Sequence, residues 1–409
     1  MTLDMFASAG IGVLALYLGM VLTRRVGFLR RFCIPSPVSG GLLISLLTLA
    51  LYSFFGVECR FDGTVKDLCM LLFFTSVGFQ SDVKVLRSGG KPLLVMIALV
   101  ACLIVAQNLI SVGIACGLKL NPLLGMAAGS IPMSGGHGTA GGFAPLLEEL
   151  GLEGASAIAM AAATFGLVAG SLLGGPLGES LIRRHRLGEA QPAENLDVMT
   201  GIEASEASPQ ARSRSAGTEE HAYREYLRGA CVLILAMSLG TGLSKLLALT
   251  GVTFPTYFGA LLVACLMRNL FGLSPRWEKE LSLKEVVSLG DICLQLFLGM
   301  AMASMRLWEL ASLALPLTLI LLGQVAFMAL YGAFVAFPLL GRKYDSAVLV
   351  SGICGFGLGA TPNAMANMSA VCFKYHYTAA PFFIVPVIGA MFVDLINTGV
   401  ITVFLNLIH

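Results

Sequence analysis

Long apolar runs constrain this chain more than any other feature of its sequence. Of its 409 residues, 56% are hydrophobic and only 12% are charged, whereas soluble proteins average about 25% charged residues. A helix needs roughly 20 apolar residues to cross a bilayer. On that measure we expect ten spans, at residues 5–22, 37–55, 67–80, 92–117, 155–178, 229–248, 254–271, 286–304, 310–338 and 379–407. The sequence therefore predicts an all-α protein embedded in a lipid bilayer.

Two glycine-rich stretches interrupt this apolar sequence, one in each half of the chain. Residues 134–139 read SGGHGT, and residues 355–361 read GFGLGAT. Glycine permits tight turns and close backbone approach, and it interrupts helices. Irregular backbone at membrane depth is tolerated only where it is buried in protein or lines a watery cavity. We therefore expect two re-entrant hairpins, over 122–145 and 345–368, which we call the first and second hairpin and whose tips reach the middle of the bilayer.

The distribution of Lys and Arg tests this topology, because cytoplasmic loops carry an excess of both. With the N-terminus outside and each hairpin returning to its own side, 21 of the 26 Lys and Arg residues lie inside. If either hairpin crossed the bilayer, the later arginine clusters would change sides. We therefore expect both termini to lie outside the cytoplasm.

Short matches between the two halves indicate an internal repeat. Asp67-Leu68-Cys69 recurs as Asp291-Ile292-Cys293, and Gly135 has its counterpart in Gly355 about 220 residues later. Because each half has five spans, an odd number, the halves are expected to be inverted relative to each other, as in secondary transporters. We predict an N-terminal repeat over 1–182, a flexible cytoplasmic linker over 183–226 and a C-terminal repeat over 227–409. Asp67 and Asp291 are interpreted as helix-start caps.

The interrupted helices suggest a binding site for an anion together with cations. A helix start offers free N–H groups and a positive dipole end, which attract carboxylates, and a helix end offers carbonyl groups for cations. We predict that substrate is bound by residues of both glycine stretches and by an asparagine that follows the second one. These are Ser134, Gly135, Gly136, His137, Gly138, Thr139, Gly355, Gly357, Gly359, Thr361 and Asn363. For His137 two roles stay open, a hydrogen bond to substrate or a fixing of the hairpin.

A carboxylate in the last span is the main candidate for ion binding. Asp394 lies about midway along that span, where a charge costs about 2.5–3.5 kcal/mol and therefore needs a partner. Sodium ligation or proton relay is our interpretation, and a helix-packing hydrogen bond is the alternative. The sodium candidates are Asp394, Asn397, Thr361, Thr164 and Gln107. No zinc-binding motif is present, and sodium is the only cofactor that we expect.

With these residues in hand, the sequence resembles the bacterial sodium/glutamate symporter family. The resemblance covers nearly the whole chain. Its most specific pieces are SGGHGT at 134–139, GFGLGATP at 355–362, ANM at 366–368, LWELASLALP at 307–316 and ATFGL at 163–167. It implies sodium-driven uptake of L-glutamate by a homodimer in the bacterial inner membrane. It further implies inverted repeats and an elevator mechanism, in which a domain holding both hairpins moves against a fixed scaffold.

Three other functions compete with this one. A sodium-coupled symporter of another dicarboxylate or tricarboxylate stays open, because hairpin N-termini would hold any such anion. An intramembrane enzyme using Ser134 with His137 lacks a nucleophile motif and an evident orienting group, so we expect no enzymatic activity. A passive channel is disfavoured because the tips carry no ring of like charge. We expect no nucleic-acid partner.

Overall fold

The computed structural model describes residues 2–32, 34–82, 90–187, 216–249, 254–274, 281–310 and 313–408. Within these ranges the chain is helical, and its only β-type pairing is an isolated bridge between Thr2 and Arg60. The predicted all-α class is therefore confirmed for the part of the chain that the structure describes. The central part of the predicted linker, 188–215, lies outside the described residues.

In the first half the helices are α1 Met5–Arg25, α2 Gly27–Arg31, α3 Ser36–Phe55, α4 Thr64–Gln80, α5 Gly90–Gly117, α6 Pro122–Ala127, α7 Ser130–Met133, α8 Gly136–Glu149 and α9 Ala155–His185. In the second half they are α10 Ala216–Ala248, α11 Phe258–Phe271, α12 Leu283–Ala303, α13 Leu307–Leu310, α14 Ala314–Tyr331, α15 Tyr344–Gly357, α16 Thr361–Lys374, α17 Ala379–Ile388 and α18 Asp394–Ile408. Two π-helical turns, Gly332–Ala336 after α14 and Gly389–Val393 between α17 and α18, continue these helices.

Eight helices of the described chain are long and apolar enough to cross a membrane. They are Met5–Arg25, Ser36–Phe55, Pro92–Gly117, Ala155–His185, His221–Ala248, Leu283–Ala303, Ala314–Leu339 and Ala380–Ile408. The chain is thus a multi-pass membrane protein, but the predicted count of ten spans is not confirmed. Helices α4 and α11 account for the difference, because their 17 and 14 residues reach only about 25 and 21 Å at 1.5 Å per residue.

The helices pack in two groups. One contains α1, α3, α4, α10, α11 and α12, which we call the scaffold group, and the other is built around α5, α9, α14 and the two hairpins. Within the scaffold group, glycines allow the same close crossing twice. A Cβ on Gly19 or Gly40 would overlap the backbone of the facing helix in the α1–α3 pair, and so would one on Gly240 or Gly259 in the α10–α11 pair. The two pairs lie about 220 residues apart, the offset of the sequence repeat.

The first hairpin consists of α6 and α7 as its entering arm and α8 as its returning arm. The entering arm packs against α5, where the Ser130 backbone N–H donates to Asn108 Oδ1 at 2.9 Å. The arm is broken between α6 and α7, because Gly129 adopts φ −90° and ψ −138°, which no helix contains. The returning arm runs along α9 and ends at Glu149 rather than at the predicted residue 145.

The second hairpin is formed by α15 and α16, which lie antiparallel. At its base the Tyr344 hydroxyl donates to the carbonyl of His376 at 2.6 Å. Near its tip Gly355 faces the backbone of Ala364 so closely that a Cβ on the glycine would overlap it. The hairpin spans 344–374, six residues beyond the predicted end.

The two tips meet beside the same turn of α9. A Cβ on Gly136 would lie 3.0 Å from the carbonyl oxygen of Gly359. Gly166 of α9 contacts both hairpins, with Met133 Cε 3.3 Å from the position of its Cβ and the Leu358 carbonyl closer still. The first hairpin follows α9 from its N-terminal end and the second from its C-terminal end, so the tips face each other from opposite directions.

Candidate functional site

A cavity of about 360 Å³ lies where the two tips meet the scaffold group, within the ~300–1,000 Å³ typical of small-molecule sites. The whole first tip, residues 134–139, lines it, together with 359–362 of the second tip. The scaffold wall of the cavity consists of Phe73 from α4 and of Asp291, Leu294 and Leu298 from α12. The last helix contributes Asp394.

Two helix starts open into this cavity. Helix α8 begins at Gly136 and α16 begins at Thr361; each has 14 residues, and no side chain of the described chain caps either start. Each start carries the equivalent of about half a positive charge together with free backbone N–H groups. No Lys or Arg lies among the residues that line the cavity in the described chain. The positive potential available to an anion here therefore comes from backbone amides, not from side chains.

Gln107 of α5 links the two tips through one buried amide group. Its Nε2 donates to the carbonyl of Gly357 at 2.6 Å, and its Oε1 accepts from the Ser134 hydroxyl at 2.7 Å. The side chain is fully buried. Gln107 thus holds the tips in register with each other.

The structure places His137 at the cavity and against α9. It lines the cavity, and its Nε2 lies 3.0 Å from Thr164 Oγ1 on α9. Because the Thr164 hydroxyl donates to the Met160 carbonyl at 2.9 Å, the histidine nitrogen is the donor to Thr164. The ring is therefore fixed to α9 while it faces the cavity.

Ser134 and His137 do not form a nucleophilic pair. The Ser134 hydroxyl donates to Gln107, and His137 Nε2 is engaged with Thr164. A base that activates a serine must hydrogen-bond to it. This geometry gives no support to the alternative of an intramembrane enzyme.

Asp394 lies directly after a π-helical turn, a feature that is frequent at functional sites. The turn Gly389–Val393 places Asp394 at the cavity, where its Oδ1 accepts from the Thr139 hydroxyl at 3.3 Å. Gly389 packs against the Thr361 side chain so closely that a Cβ would overlap Thr361 Oγ1. The last helix thereby contacts a residue of each tip.

One turn after Asp394, buried oxygen atoms collect that lack hydrogen-bond partners in the described chain. They include Ser130 Oγ, Asn397 Oδ1 and Thr398 Oγ1, all on residues with no exposed surface, and the Thr398 hydroxyl faces the buried hydroxyl of Tyr257. Asn397 Nδ2 donates to the Ser130 carbonyl at 3.0 Å, so two of the three are neighbours. Buried polar atoms are almost always paired, and oxygen-only surroundings suit hard cations.

Ser130 and Thr398 of this group are not among the sodium candidates predicted from the sequence, and Ser130 lies far from the others along the chain. The Gly129 break beside it could have signalled it, because a helix interruption followed by a hydroxyl resembles the pattern used to predict the tips.

Three predicted substrate residues lie behind the cavity surface. Gly355 packs against Ala364, the Gly357 carbonyl accepts from Gln107, and Asn363 Nδ2 donates to the Leu167 carbonyl at 2.8 Å. None of them is among the lining residues. In this structure they shape the second tip, while Gly359 and Thr361 face the cavity. Thr164 and Gln107, predicted as sodium ligands, likewise lie outside the lining.

Asp291 corrects one interpretation made from the sequence. It was expected to cap the start of its helix, but α12 begins at Leu283, so Asp291 lies more than two turns inside it. The prediction failed because residues 283–290, which are mostly apolar, continue the same helix before Asp291. The carboxylate is exposed and lines the cavity.

Comparisons with known proteins agree with the resemblance seen in the motifs. The family model described as sodium/glutamate symporter matches residues 1–377. A sodium/glutamate symporter of Escherichia coli (strain K12) is 39% identical over 406 residues, which cover 99% of this chain and 98% of that protein. A sodium/glutamate symporter of Haemophilus influenzae is 36% identical over 403 residues, 98% of this chain and 97% of its own length.

Proposed function

The chain belongs to the sodium/glutamate symporter family, and from this premise we propose that it imports L-glutamate together with sodium ions. It acts as a secondary transporter of the bacterial inner membrane and not as an enzyme. The observation that carries the proposal is the pair of helix starts at Gly136 and Thr361, which open into one cavity and which, among the described residues, have neither a side-chain cap nor a cationic side chain beside them in the cavity lining.

The substrate lies between the two tips. Glutamate has two carboxylates, and each is bound by the N–H groups and dipole of one helix start, as anions are at helix N-termini. The Thr361 and Ser134 side chains border the same space. His137 faces the substrate, and its hydrogen bond with Thr164 fixes the orientation of its ring. Gln107 keeps the tips at the separation that both carboxylates require.

Sodium binds beside Asp394. The carboxylate and the unpartnered oxygens of Ser130, Asn397 and Thr398 supply the oxygen ligands that a hard cation prefers. Thr139, which donates to Asp394, belongs to the first tip and therefore connects the ion site to the substrate site. Binding of the cation stabilises the tip in the form that binds substrate, which couples the two solutes.

The hairpins, α5, α9 and the last helix move as one transport domain against the scaffold group, as in an elevator mechanism. Support comes from the surface between them, where Gly138, Gly141 and Gly142 of α8 face aromatic rings of the scaffold group. Both hairpins are re-entrant, and the halves form an inverted repeat, which the recurrent glycine crossings support. The protein functions as a homodimer, as the family resemblance implies.

Both termini lie in the periplasm. The loops around Arg60, Glu148 and Arg306 gather around one polar cavity at the end of the molecule where Thr2 pairs with Arg60. That end carries few of the basic residues, while the arginine-rich segments belong to the other ends of the helices, as expected for cytoplasmic loops.

Uptake of labelled L-glutamate into proteoliposomes tests the proposal. With sodium outside and potassium inside, we expect labelled glutamate to accumulate inside above its external concentration, and equal sodium on both sides should remove this accumulation while the label still equilibrates. Unlabelled citrate and malate in tenfold excess should leave the uptake largely intact. Strong competition by either anion would favour the dicarboxylate or tricarboxylate alternative, and sodium-independent uptake would contradict the proposed coupling.

A further inference from the structure

We propose that Asp291, on the scaffold wall of the cavity, binds the α-ammonium group of the substrate and thereby selects an amino acid over a plain dicarboxylate. This inference rests on the proposed function and adds a specificity-determining residue to it. Its basis is the position of the carboxylate, which lines the cavity from α12 in the scaffold group, whereas the helix starts that would hold the anionic groups belong to the two hairpins.

The charges around the cavity leave one group of glutamate without an evident partner. The two helix starts match its two carboxylates, but an ammonium group has three donors and needs acceptors once it leaves water. Among the described lining residues only Asp291 and Asp394 carry carboxylates, and none carries a positive charge. One of these two side chains is therefore the natural partner of the ammonium group.

The surroundings of the two carboxylates assign them different roles. Asp394 is half-buried, accepts from Thr139 and lies one turn from the unpartnered oxygens at Asn397 and Thr398. Asp291 is exposed to the cavity and makes no hydrogen bond or ion pair with any described residue. A carboxylate within a membrane-spanning helix is costly unless a partner or water compensates it. Asp394 thus suits the resident cation, and Asp291 is open to the cargo.

The repeat supplies a matched control for Asp291. Asp67 occupies the corresponding position in the first half, but it lies in the first turn of α4 and its carboxylate is 3.8 Å from Lys66 Nζ. It does not line the cavity. The two positions therefore share their sequence context but differ in access to substrate.

The experiment compares the purified full-length wild type with Asp291→Asn and Asp67→Asn at a fixed, saturating sodium concentration. Calorimetry measures the binding of L-glutamate and of glutarate, which keeps both carboxylates but lacks the amino group. We expect Asp291→Asn to raise the Kd for glutamate at least about tenfold, as loss of a charge-assisted bond does, and to leave the Kd for glutarate unchanged. Asp67→Asn should match the wild type for both ligands.

Equal weakening of glutamate and glutarate, or no change in either, would overturn the inference. A rise in the sodium concentration needed for binding that accounts for the loss would also overturn it, because Asp291 would then serve the cation. The melting temperature without ligand checks folding, and Asp291→Glu, which keeps the charge, should restore the preference for glutamate. If the wild type itself binds no glutamate in sodium, the proposed function fails; if it binds and the variants do not differ, only this inference fails.

Discussion

Gln107 shows what a sequence can and cannot reveal about a single residue. Because Gln107 lies in an apolar span, its polar side chain is expected to have a function, and the sequence predicts sodium ligation. The structure gives its amide two other partners, Ser134 and Gly357, which lie 27 and 250 residues away. Contacts at such separations depend on the packing of three helices, so residue type and spacing along the chain could not predict them.

Replacing Gln107 by leucine should weaken glutamate binding by removing the link between the tips. The Ser134 hydroxyl and the Gly357 carbonyl would stay buried without a partner, at about 1–3 kcal/mol each. We expect the Kd for glutamate to rise by about tenfold or more, as measured by calorimetry in saturating sodium. The control is Gln295→Leu, since Gln295 forms no hydrogen bond within the described chain and lies outside the cavity lining. An unaltered Kd in Gln107→Leu would argue against the link.

Asp394→Asn tests the cation site at the same scale. Neutralising the carboxylate should raise the sodium concentration for half-maximal glutamate uptake by at least about tenfold, a loss of roughly 1.4 kcal/mol, while expression stays near that of the wild type. Asp345→Asn, at the exposed base of the second hairpin, serves as control. Unchanged sodium dependence in Asp394→Asn would remove this residue from the site.

At the scale of elements, the glycine stretches predicted where the helices break at the tips, and the structure has both breaks there. The sequence predicts the ends of the hairpin arms less well. The sequence predicts an end of the first hairpin at 145, whereas residues 146–149, two Leu and two Glu, are good helix formers and continue α8. The break at Gly129 was missed because one glycine within an apolar segment more often serves helix packing. Sequence thus located the tips better than it defined the arms.

Gly142 tests the surface along which α8 faces the scaffold group. A Cβ at this position would lie 2.8 Å from Tyr257 Cε1 and 2.9 Å from Phe74 Cε2, and overpacking of this kind costs about 1–3 kcal/mol. We expect Gly142→Ala to lower the maximal rate of glutamate uptake at least about fivefold, because in the proposed elevator movement α8 passes these rings. The rate is measured in proteoliposomes at saturating substrate.

The matched control is Gly175→Ala, because a Cβ on Gly175, which also lies within a helix, would meet no atom within 4 Å. Its maximal rate should equal that of the wild type. Wild-type rates in both variants would indicate that α8 does not move along the aromatic surface.

At the scale of the whole molecule, composition and charge predicted a multi-pass helical protein, and family motifs predicted its class. The number of spans was harder, because α4 and α11 are apolar enough to be noticed but shorter than the bilayer core. Hydropathy alone cannot tell a short span that packs against protein from one that stops inside it. The pairing of α1 with α3 and of α10 with α11 depends on glycine contacts that only the structure displays.

Transport should carry net charge. Glutamate has a charge of −1, so one sodium ion would give a neutral cycle, and a second lets the membrane potential contribute about 2.3 kcal/mol per 100 mV. We predict at least two sodium ions per glutamate. An inside-negative potassium diffusion potential should then accelerate uptake into proteoliposomes. An uptake rate that does not respond to the potential would contradict this stoichiometry.

The close contact between Gly136 and Gly359 at the two hairpin tips bears on the direction in which the substrate is transported. Each hairpin follows α9 from its own end, so in the proposed topology the two tips close the cavity from opposite compartments. Nothing in such an arrangement acts as a ratchet, and the solute gradients alone decide which way cargo travels. Vesicles loaded with sodium and glutamate and diluted into sodium-free buffer should therefore empty through the same carrier that fills them.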